Sequence, residues 1–201
     1  MLGADLDSAE YLKRATDELA RVDQAAVARW ADLIFAAWKD NRTVFIIGNG
    51  GSATTATHMA EDLAKSTLRP EDLHDESRTR LRVMSLTDNV GWMLAVANDL
   101  SYEEIFVQQL MNLASDGDVL LAISGSGNSP NIVRSVNWGK RNGMHTFGIT
   151  GYDGGKVKMM CDDGIHVDLD DMGMVESIHL TLFHWVLNDV FARINSEGRY
   201  G

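Results

Sequence analysis

The stretch Thr43-Val44-Phe45-Ile46-Ile47-Gly48-Asn49-Gly50-Gly51-Ser52 decides the fold of this chain. A continuous apolar run of this kind is typical of a parallel β-strand that is buried on both faces. The glycines that follow it allow a tight turn, and helical spacing begins at about Ala53 and continues to Ser66. The stretch therefore predicts a strand, a glycine-rich loop and a helix in immediate succession.

The same succession occurs again further along the chain. The run Val119–Ile123 ends in Ser124-Gly125-Ser126-Gly127-Asn128-Ser129, and a helical pattern follows from Asn131 to Arg141. Three more short apolar segments have the character of strands: Leu81–Leu86, Thr146–Ile149 and Gly164–Val167. Strands that alternate with helices indicate a doubly wound α/β fold with a five-stranded parallel sheet.

Further helices are predicted around this core. Apolar residues at helical spacing between Ser8 and Lys39 indicate two helices, with a break near Val22 to Gln24. We expect both to lie outside the main sheet or against another subunit. Helical patterns also cover Tyr102–Ala114 and Met174–Ile194. The 201 residues fit one domain, with helices for oligomer packing in residues 1–40 and an α/β core in 41–201.

Composition narrows the class of protein. The formal net charge of −11 argues against a broad nucleic-acid surface, which depends on Lys and Arg. The lone cysteine, Cys161, allows no intrachain disulfide, and no apolar run approaches the length of a membrane span. The first ten residues lack the layout of a signal peptide. We therefore expect a cytoplasmic protein that contacts neither nucleic acid nor membrane.

Two loops have the character of phosphate sites. Each follows a strand and opens a helix, where free N–H groups and the helix dipole favour an anion. The residues expected to bind phosphate are Asn49, Gly50, Gly51, Ser52, Ser124, Gly125, Ser126 and Ser129. The alternative is that both loops are only tight turns with serine N-caps. Neither loop has the Gly-Lys-Ser/Thr of a P-loop, and no acidic residue follows at the distance that a dinucleotide site requires.

Together with Thr150-Gly151-Tyr152-Asp153-Gly154-Gly155, these loops resemble the sugar isomerase (SIS) domain, and within it the phosphoheptose isomerases. The resemblance implies a flavodoxin-like SIS fold and an aldose–ketose isomerase. The substrate would be sedoheptulose 7-phosphate, converted through an enediol or enediolate to D-glycero-D-manno-heptose 7-phosphate. It also implies a homotetramer with active sites at subunit interfaces and, in many members, a zinc ion.

The resemblance also implies roles for individual residues. The family's His-x-x-x-Glu is similar to His58 and Asp62, and its closing-helix pattern is similar to Glu176, His179 and His184. By this likeness Asp62 takes the position of the base and His184 that of the acid. Asp99, with Asn98 before it, stands where the family supports the sugar.

A divalent metal suits the same residues. His58 and Asp62 are four apart on a helix, and Glu176 and His184 are eight apart, so each pair shares a face of its helix. If the two helices meet, two imidazoles and two carboxylates offer the N and O ligands that Zn²⁺ prefers. The alternative to a functional role is that the histidines are core residues and that Asp62 is a surface charge.

The chain also departs from the family pattern. Asp62 is one methylene shorter than the usual Glu, Glu176 replaces a neutral Gln, and Gly125 replaces a Thr. Whether Asp62 or Glu176 acts as the base stays open, as does the identity of the sugar phosphate.

Two rival functions remain. One is a non-catalytic module that binds a phosphosugar or a protein, such as the related proteins that bind a replication initiator. Those proteins typically lack the acid at position 62 and the histidine at position 184, and both are present here. The other is a phosphosugar-sensing regulator, for whose DNA-binding domain the 201 residues leave no room.

Overall fold

The computed structural model describes residues 1–201 and contains a five-stranded parallel sheet. The strands are β1 (Thr43–Ile47), β2 (Arg82–Ser85), β3 (Val119–Ser124), β4 (His145–Thr150) and β5 (Asp163–His166). Their spatial order is β2-β1-β3-β4-β5, which is the flavodoxin-like order of a doubly wound sheet. The predicted fold class is confirmed.

Eight α-helices surround the sheet. They are α1 (Ser8–Arg21), α2 (Gln24–Lys39), α3 (Gly51–Lys65), α4 (Val90–Asp99), α5 (Val107–Leu113), α6 (Pro130–Arg141), α7 (Gly155–Met160) and α8 (Met172–Asn195). No helix combines the length and the apolar character needed to cross a membrane.

The strand β1 shows why the sheet is covered on both faces. Its side chains alternate between two apolar clusters: Val44 and Ile46 belong to the cluster under α2, α3 and α8, while Phe45 and Ile47 belong to the cluster under α5 and α6. Successive side chains of a strand point to opposite faces, so a strand that is apolar throughout requires helices on each side.

The two leading helices differ from each other. The helix α2 is part of the chain's own core, because Trp30 is 1% exposed and its ring stacks on Phe147 at 5.7 Å between centroids. The sequence predicted that both helices lie outside the main sheet or against another subunit. Helix α2 packs against the sheet and α8 of its own chain, whereas α1 keeps most of its surface exposed, with Glu18 as its one buried residue. The helical period alone could not distinguish these two outcomes, since both helices have an apolar stripe.

Two other elements differ from the sequence prediction. The helix predicted over Tyr102–Ala114 is a 3-10 turn at Tyr102–Glu104 followed by the shorter α5. The helix α7 was not predicted as a helix at all, because its six residues are too few to show a period. Neither difference moves the loops at the carboxyl ends of β1 and β3.

Candidate active site

The first loop presents an uncapped helix N-terminus. Gly50 precedes α3 with φ of +56°, a left-handed conformation that glycine adopts without strain. No side chain caps this end of α3. The first N–H groups of the helix therefore remain free for an anion, as the sequence predicts.

The second loop offers serine hydroxyls. The Gly127 N–H donates to Oγ of Ser124 at 3.1 Å, and the Asn128 N–H donates to Oγ of Ser126 at 3.3 Å. A hydroxyl that accepts from the backbone keeps its own proton free to donate. Ser129, at the start of α6, makes no side-chain cap bond. These hydroxyls are therefore available to phosphate oxygens.

The two loops face each other across one cavity of about 320 Å³. Its lining contains all eight residues expected to bind phosphate through the loops: Asn49, Gly50, Gly51, Ser52, Ser124, Gly125, Ser126 and Ser129. Ile123, Met172 and Glu176 complete it, so the lining contains neither Lys nor Arg. Any anion bound here would depend on backbone N–H groups and hydroxyls.

An amide pair holds the two loops together. The Asn49 side-chain amide donates to Asn131 at 2.9 Å, and the Asn131 amide donates back to Asn49 at 2.9 Å. The hydroxyl of Tyr102 also donates to Asn49, at 3.0 Å. Asn131 is 1% exposed, and sequence analysis did not single it out. The signal was Ser129-Pro130, since proline favours the first turn of a helix and thereby places Asn131 beside the loop.

We expect Asn131→Leu to weaken the binding of inorganic phosphate about tenfold and to destabilise the protein by about 1–3 kcal/mol, because the Asn49 amide loses a buried partner. Titration calorimetry and urea unfolding would measure the two effects. The exposed Asn188→Leu is the control. Unchanged phosphate affinity in Asn131→Leu would contradict a role of the amide pair in shaping the site.

Met172 fills the space beside Gly125. A Cβ on Gly125 would clash with the thioether of Met172. The hydroxyl that the family places at position 125 is therefore replaced here by an apolar wall. Met172 was outside the sequence prediction, because nothing in the sequence indicates that the start of α8 lies against the second loop.

A second group of polar side chains lies where α3 and α8 meet. Oδ2 of Asp62 is 3.2 Å from Nε2 of His58 and 3.8 Å from Nε2 of His184. The two imidazole rings are 5.3 Å apart between centroids. These three side chains each offer one ligand atom within 4.8 Å of the others. Two imidazole nitrogens and a carboxylate oxygen form a set that fits a divalent metal such as Zn²⁺.

Glu176 lies apart from this group. Its carboxylate is beside Gly51, so close that a Cβ on Gly51 would clash with both carboxylate oxygens. Burial raises the pKa of this carboxyl. The structure therefore places the fourth residue of the predicted metal set in the cavity between the two loops, apart from the other three.

Asn98 and Asp99, unlike Glu176, lie outside the cavity. They are the last two residues of α4, they are exposed, and the Asn98 amide donates to Asp99 at 2.8 Å. Within one chain neither residue lines the space between the two loops.

His179 is a core residue. It is 2% exposed, and its Nε2 lies 3.1 Å from the carbonyl oxygen of Thr150, to which it donates as a neutral ring. Burial lowers the pKa of His179 to about 4. The structure therefore fits the interpretation of His179 as a hydrogen-bonded core residue and not as a ligand of a metal or substrate.

His179 gives the stability of the protein a pH dependence. Between the pKa of an unfolded histidine, about 6.5, and the folded value of about 4, the unfolded chain binds more protons. The free energy of unfolding is therefore expected to decrease as the pH falls from 6.5 to 4, by up to about 3 kcal/mol from this group. Urea unfolding of the protein and of His179→Gln at pH 7.0, 5.5 and 4.5 would measure it. Parallel profiles for the two proteins would contradict this expectation.

Comparison with known proteins identifies the family of this chain. Residues 9–151 match the SIS domain family. The chain is 32% identical over 181 residues to a probable phosphoheptose isomerase of Thermoplasma acidophilum, covering 90% of this chain and 96% of that protein. It is 32% identical over 189 residues to a phosphoheptose isomerase of Bradyrhizobium, covering 92% of each.

A solved structure of a phosphoheptose isomerase is also similar to this chain. The phosphoheptose isomerase of Neisseria gonorrhoeae superimposes with a TM-score of 0.81 at 26% identity, over 91% of this chain and 95% of that one. With two glycine- and serine-rich loops at the carboxyl ends of β1 and β3 and matches over nine-tenths of its length, this chain belongs to the phosphoheptose isomerase family of SIS-domain proteins.

Proposed function

We propose that this protein interconverts sedoheptulose 7-phosphate and D-glycero-D-manno-heptose 7-phosphate. The observation that carries the proposal is the spacing between the phosphate cavity and the His58, Asp62 and His184 group. A helix rises about 1.5 Å per residue, so His58 lies about 10 Å along α3 from Gly51. The site therefore has a phosphate end and a reactive end at a defined separation.

An extended ketoheptose phosphate fits this separation. Eight bonds join the phosphorus of a 7-phosphate to C1, and a zigzag chain advances about 1.25 Å per bond, which gives about 10 Å. A pentose 5-phosphate has two bonds fewer and would span only about 7.5 Å. With its phosphate between the loops, a C7 substrate brings C1 and C2 beside Asp62 and the two histidines.

The residues at the reactive end can carry out proton transfer. We assign to Asp62 the movement of a proton between C1 and C2, and to His184 the transfer between the two oxygens, through an enediol. Glu176 is the alternative base. Because it is eight residues before His184 on α8, it lies about 12 Å away along the helix, and the proposal therefore favours Asp62.

His58, Asp62 and His184 are also the residues that would hold a divalent metal, for which Zn²⁺ is the proposed ion. When bound, such an ion polarises a substrate carbonyl. The Nε2 atoms of both imidazoles face the Asp62 carboxylate, so the three side chains would offer their ligand atoms to the same point. Metal analysis of the purified protein and of His58→Ala would test this assignment.

An activity panel tests the function itself. Sugar phosphates from C5 to C8 would be incubated with the protein, with and without added Zn²⁺, and the ketose and aldose products quantified by NMR. We expect the highest kcat/KM for the C7 ketose. No turnover of any of them, together with tight binding to a protein partner, would overturn the isomerase in favour of the non-catalytic module.

We further propose a homotetramer whose active sites lie at subunit interfaces. The apolar helix α4 has no buried residue in the single chain, and Val90 and Leu94 are 56% and 66% exposed. Val90 and Leu94 also line a cavity of about 280 Å³, together with Asn49 and Gly50 of the first phosphate loop. A second copy packed on α4 would therefore adjoin the active site.

This assembly would also explain how Asn98 and Asp99 could contact the substrate. They end α4 and are exposed, so we propose that they reach a sugar only in the assembled oligomer. A cytoplasmic location completes the proposal, supported by the single cysteine of the chain.

The substitution Leu94→Glu is expected to dissociate the oligomer and to lower activity, because a carboxylate would be buried at the interface without a partner. Light scattering after gel filtration would report the mass of each species. Met159→Glu, at a residue of α7 that is 78% exposed, is the matched control and should leave the assembly intact. An unchanged mass for Leu94→Glu would exclude α4 as the contact.

A further inference from the structure

The third glycine motif of the chain packs against the second loop. This third loop, residues 151–155, follows β4 and does not line the cavity between the first two loops. The Gly151 N–H donates to the carbonyl of Gly125 at 2.8 Å. A Cβ on Gly127 would overlap the carbonyl of Gly154, so glycine is needed where the two backbones approach. The third loop therefore supports the second loop without reaching the cavity.

Asn128 joins these two loops. Its side-chain amide donates to the carbonyl of Ser126 at 3.0 Å, and its Oδ1 accepts from the Lys156 N–H of α7 at 3.3 Å. A Cβ on Gly155 would clash with both the Asn128 amide and the Ser126 carbonyl. Ser126 lines the cavity and Asn128 does not. Asn128 thus connects a serine of the cavity to the start of the helix that follows the third loop.

We propose that Asn128 is a positioning residue for the sugar phosphate: it holds Ser126 so that the serine hydroxyl donates to a phosphate oxygen. This inference rests on the proposed function, since it concerns the phosphate end of the same site. Oγ of Ser126 accepts from the Asn128 N–H at 3.3 Å, which leaves the hydroxyl proton free for another acceptor. Because neither Lys nor Arg lines the cavity, misplacing one hydroxyl should weaken anion binding measurably.

The substitution Asn128→Ala removes the side-chain bonds to Ser126 and Lys156 and keeps every backbone N–H group. We expect it to raise both the Kd for inorganic phosphate and the KM for sedoheptulose 7-phosphate about fivefold, the effect of losing one hydrogen bond between neutral groups. The value of kcat should stay within about twofold, because the reactive end of the site is unchanged.

Asn142→Ala is the matched control. Asn142 lies at the other end of α6, is exposed, and also donates its amide to a backbone carbonyl, that of Trp138 at 2.8 Å. Its loss should change neither the Kd nor the KM. Titration calorimetry and steady-state kinetics give these constants, and urea unfolding reports the stability of each variant separately.

A double-mutant cycle with Ser126→Ala tests whether Asn128 acts through this serine. If it does, Asn128→Ala has little further effect on phosphate binding once the Ser126 hydroxyl is absent, so the two effects are not additive. The four proteins of the cycle are compared by titration calorimetry with inorganic phosphate.

The outcomes separate this inference from the proposed function. The positioning role is overturned if Asn128→Ala raises neither constant, if Asn142→Ala raises them equally, or if the effects of Asn128→Ala and Ser126→Ala are additive. The isomerase stands in each of these cases when the unchanged protein turns over the C7 ketose. If the unchanged protein neither binds phosphate nor turns over any sugar phosphate, both proposals fail.

Discussion

Replacing Asp62 by Asn is expected to lower kcat/KM for sedoheptulose 7-phosphate by about 10³-fold, the usual size of a lost general base. The amide cannot accept the proton that moves between C1 and C2. The side chain of Asp62 is only 17% exposed and its Oδ2 faces both imidazoles, so water cannot readily take its place. Product formation followed by NMR, with solvent deuterium incorporated at the reacting carbon, would measure the loss.

Glu61→Gln is the matched control for this experiment. Glu61 is the neighbouring residue on α3, is exposed and is paired with Lys65, so its change should leave activity within about twofold. A second variant, Asp62→Glu, restores the longer side chain that the family carries and is expected to retain activity. If Asp62→Asn kept more than a tenth of the original activity, Asp62 would not be the base, and Glu176 would become the candidate.

The largest loss of stability is expected from Asp189→Ala, at about 3 kcal/mol. The side chain of Asp189 is fully buried on α8 and pairs with Arg193 at 2.8 Å, with Arg199 and with the hydroxyl of Tyr200. Removing the carboxylate leaves Arg193, itself only 17% exposed, without its buried partner. For a chain of this size the melting temperature should fall by about 8 °C.

Differential scanning fluorimetry and urea unfolding would measure this loss. Arg199→Ala serves as the control, because the Arg199 side chain is half exposed and solvent screens its ion pair with Asp189. We expect its effect to be much smaller than that of Asp189→Ala. Equal effects of the two substitutions would contradict the view that the buried carboxylate is the critical member of the network.

This network stabilises the helix that carries His184. Arg193 also pairs with Asp32 of α2 at 2.6 Å, so the buried carboxylate is connected to the N-terminal layer of the fold. The guanidinium of Arg199 lies over the ring of Trp185, the residue next to His184, at 4.9 Å from its centroid. Loss of Asp189 is therefore expected to loosen the end of α8 beside the reactive group as well.

Local signals in the sequence determined most of the scaffold. Apolar runs that end in glycine and serine predicted the strands β1 and β3 and the loops that follow them, because burial and turn chemistry are both encoded within a few residues. Short elements gave no such signal. The six residues of α7 show no period, and the break between Glu104 and Val107 lies inside an apolar pattern that continues through it.

The grouping of the site residues depended on tertiary structure. The sequence predicted that Glu176 and His184 share a face of one helix, and a helical wheel shows only this angle. It does not show that eight residues also separate them by about 12 Å along the axis, so that each can contact a different part of α3. The parallel packing of α3 against α8 then sets Glu176 beside Gly51 and His184 beside Asp62.

The sequence by itself therefore determined the fold class and the two glycine- and serine-rich loops, and it predicted which residues could carry the chemistry, because each of these depends on local pattern. Only the tertiary structure decided which of these residues meet. Asp62 joins the two histidines and Glu176 joins the phosphate cavity, because the distance between side chains on two packed helices is set by their axial rise and their relative direction.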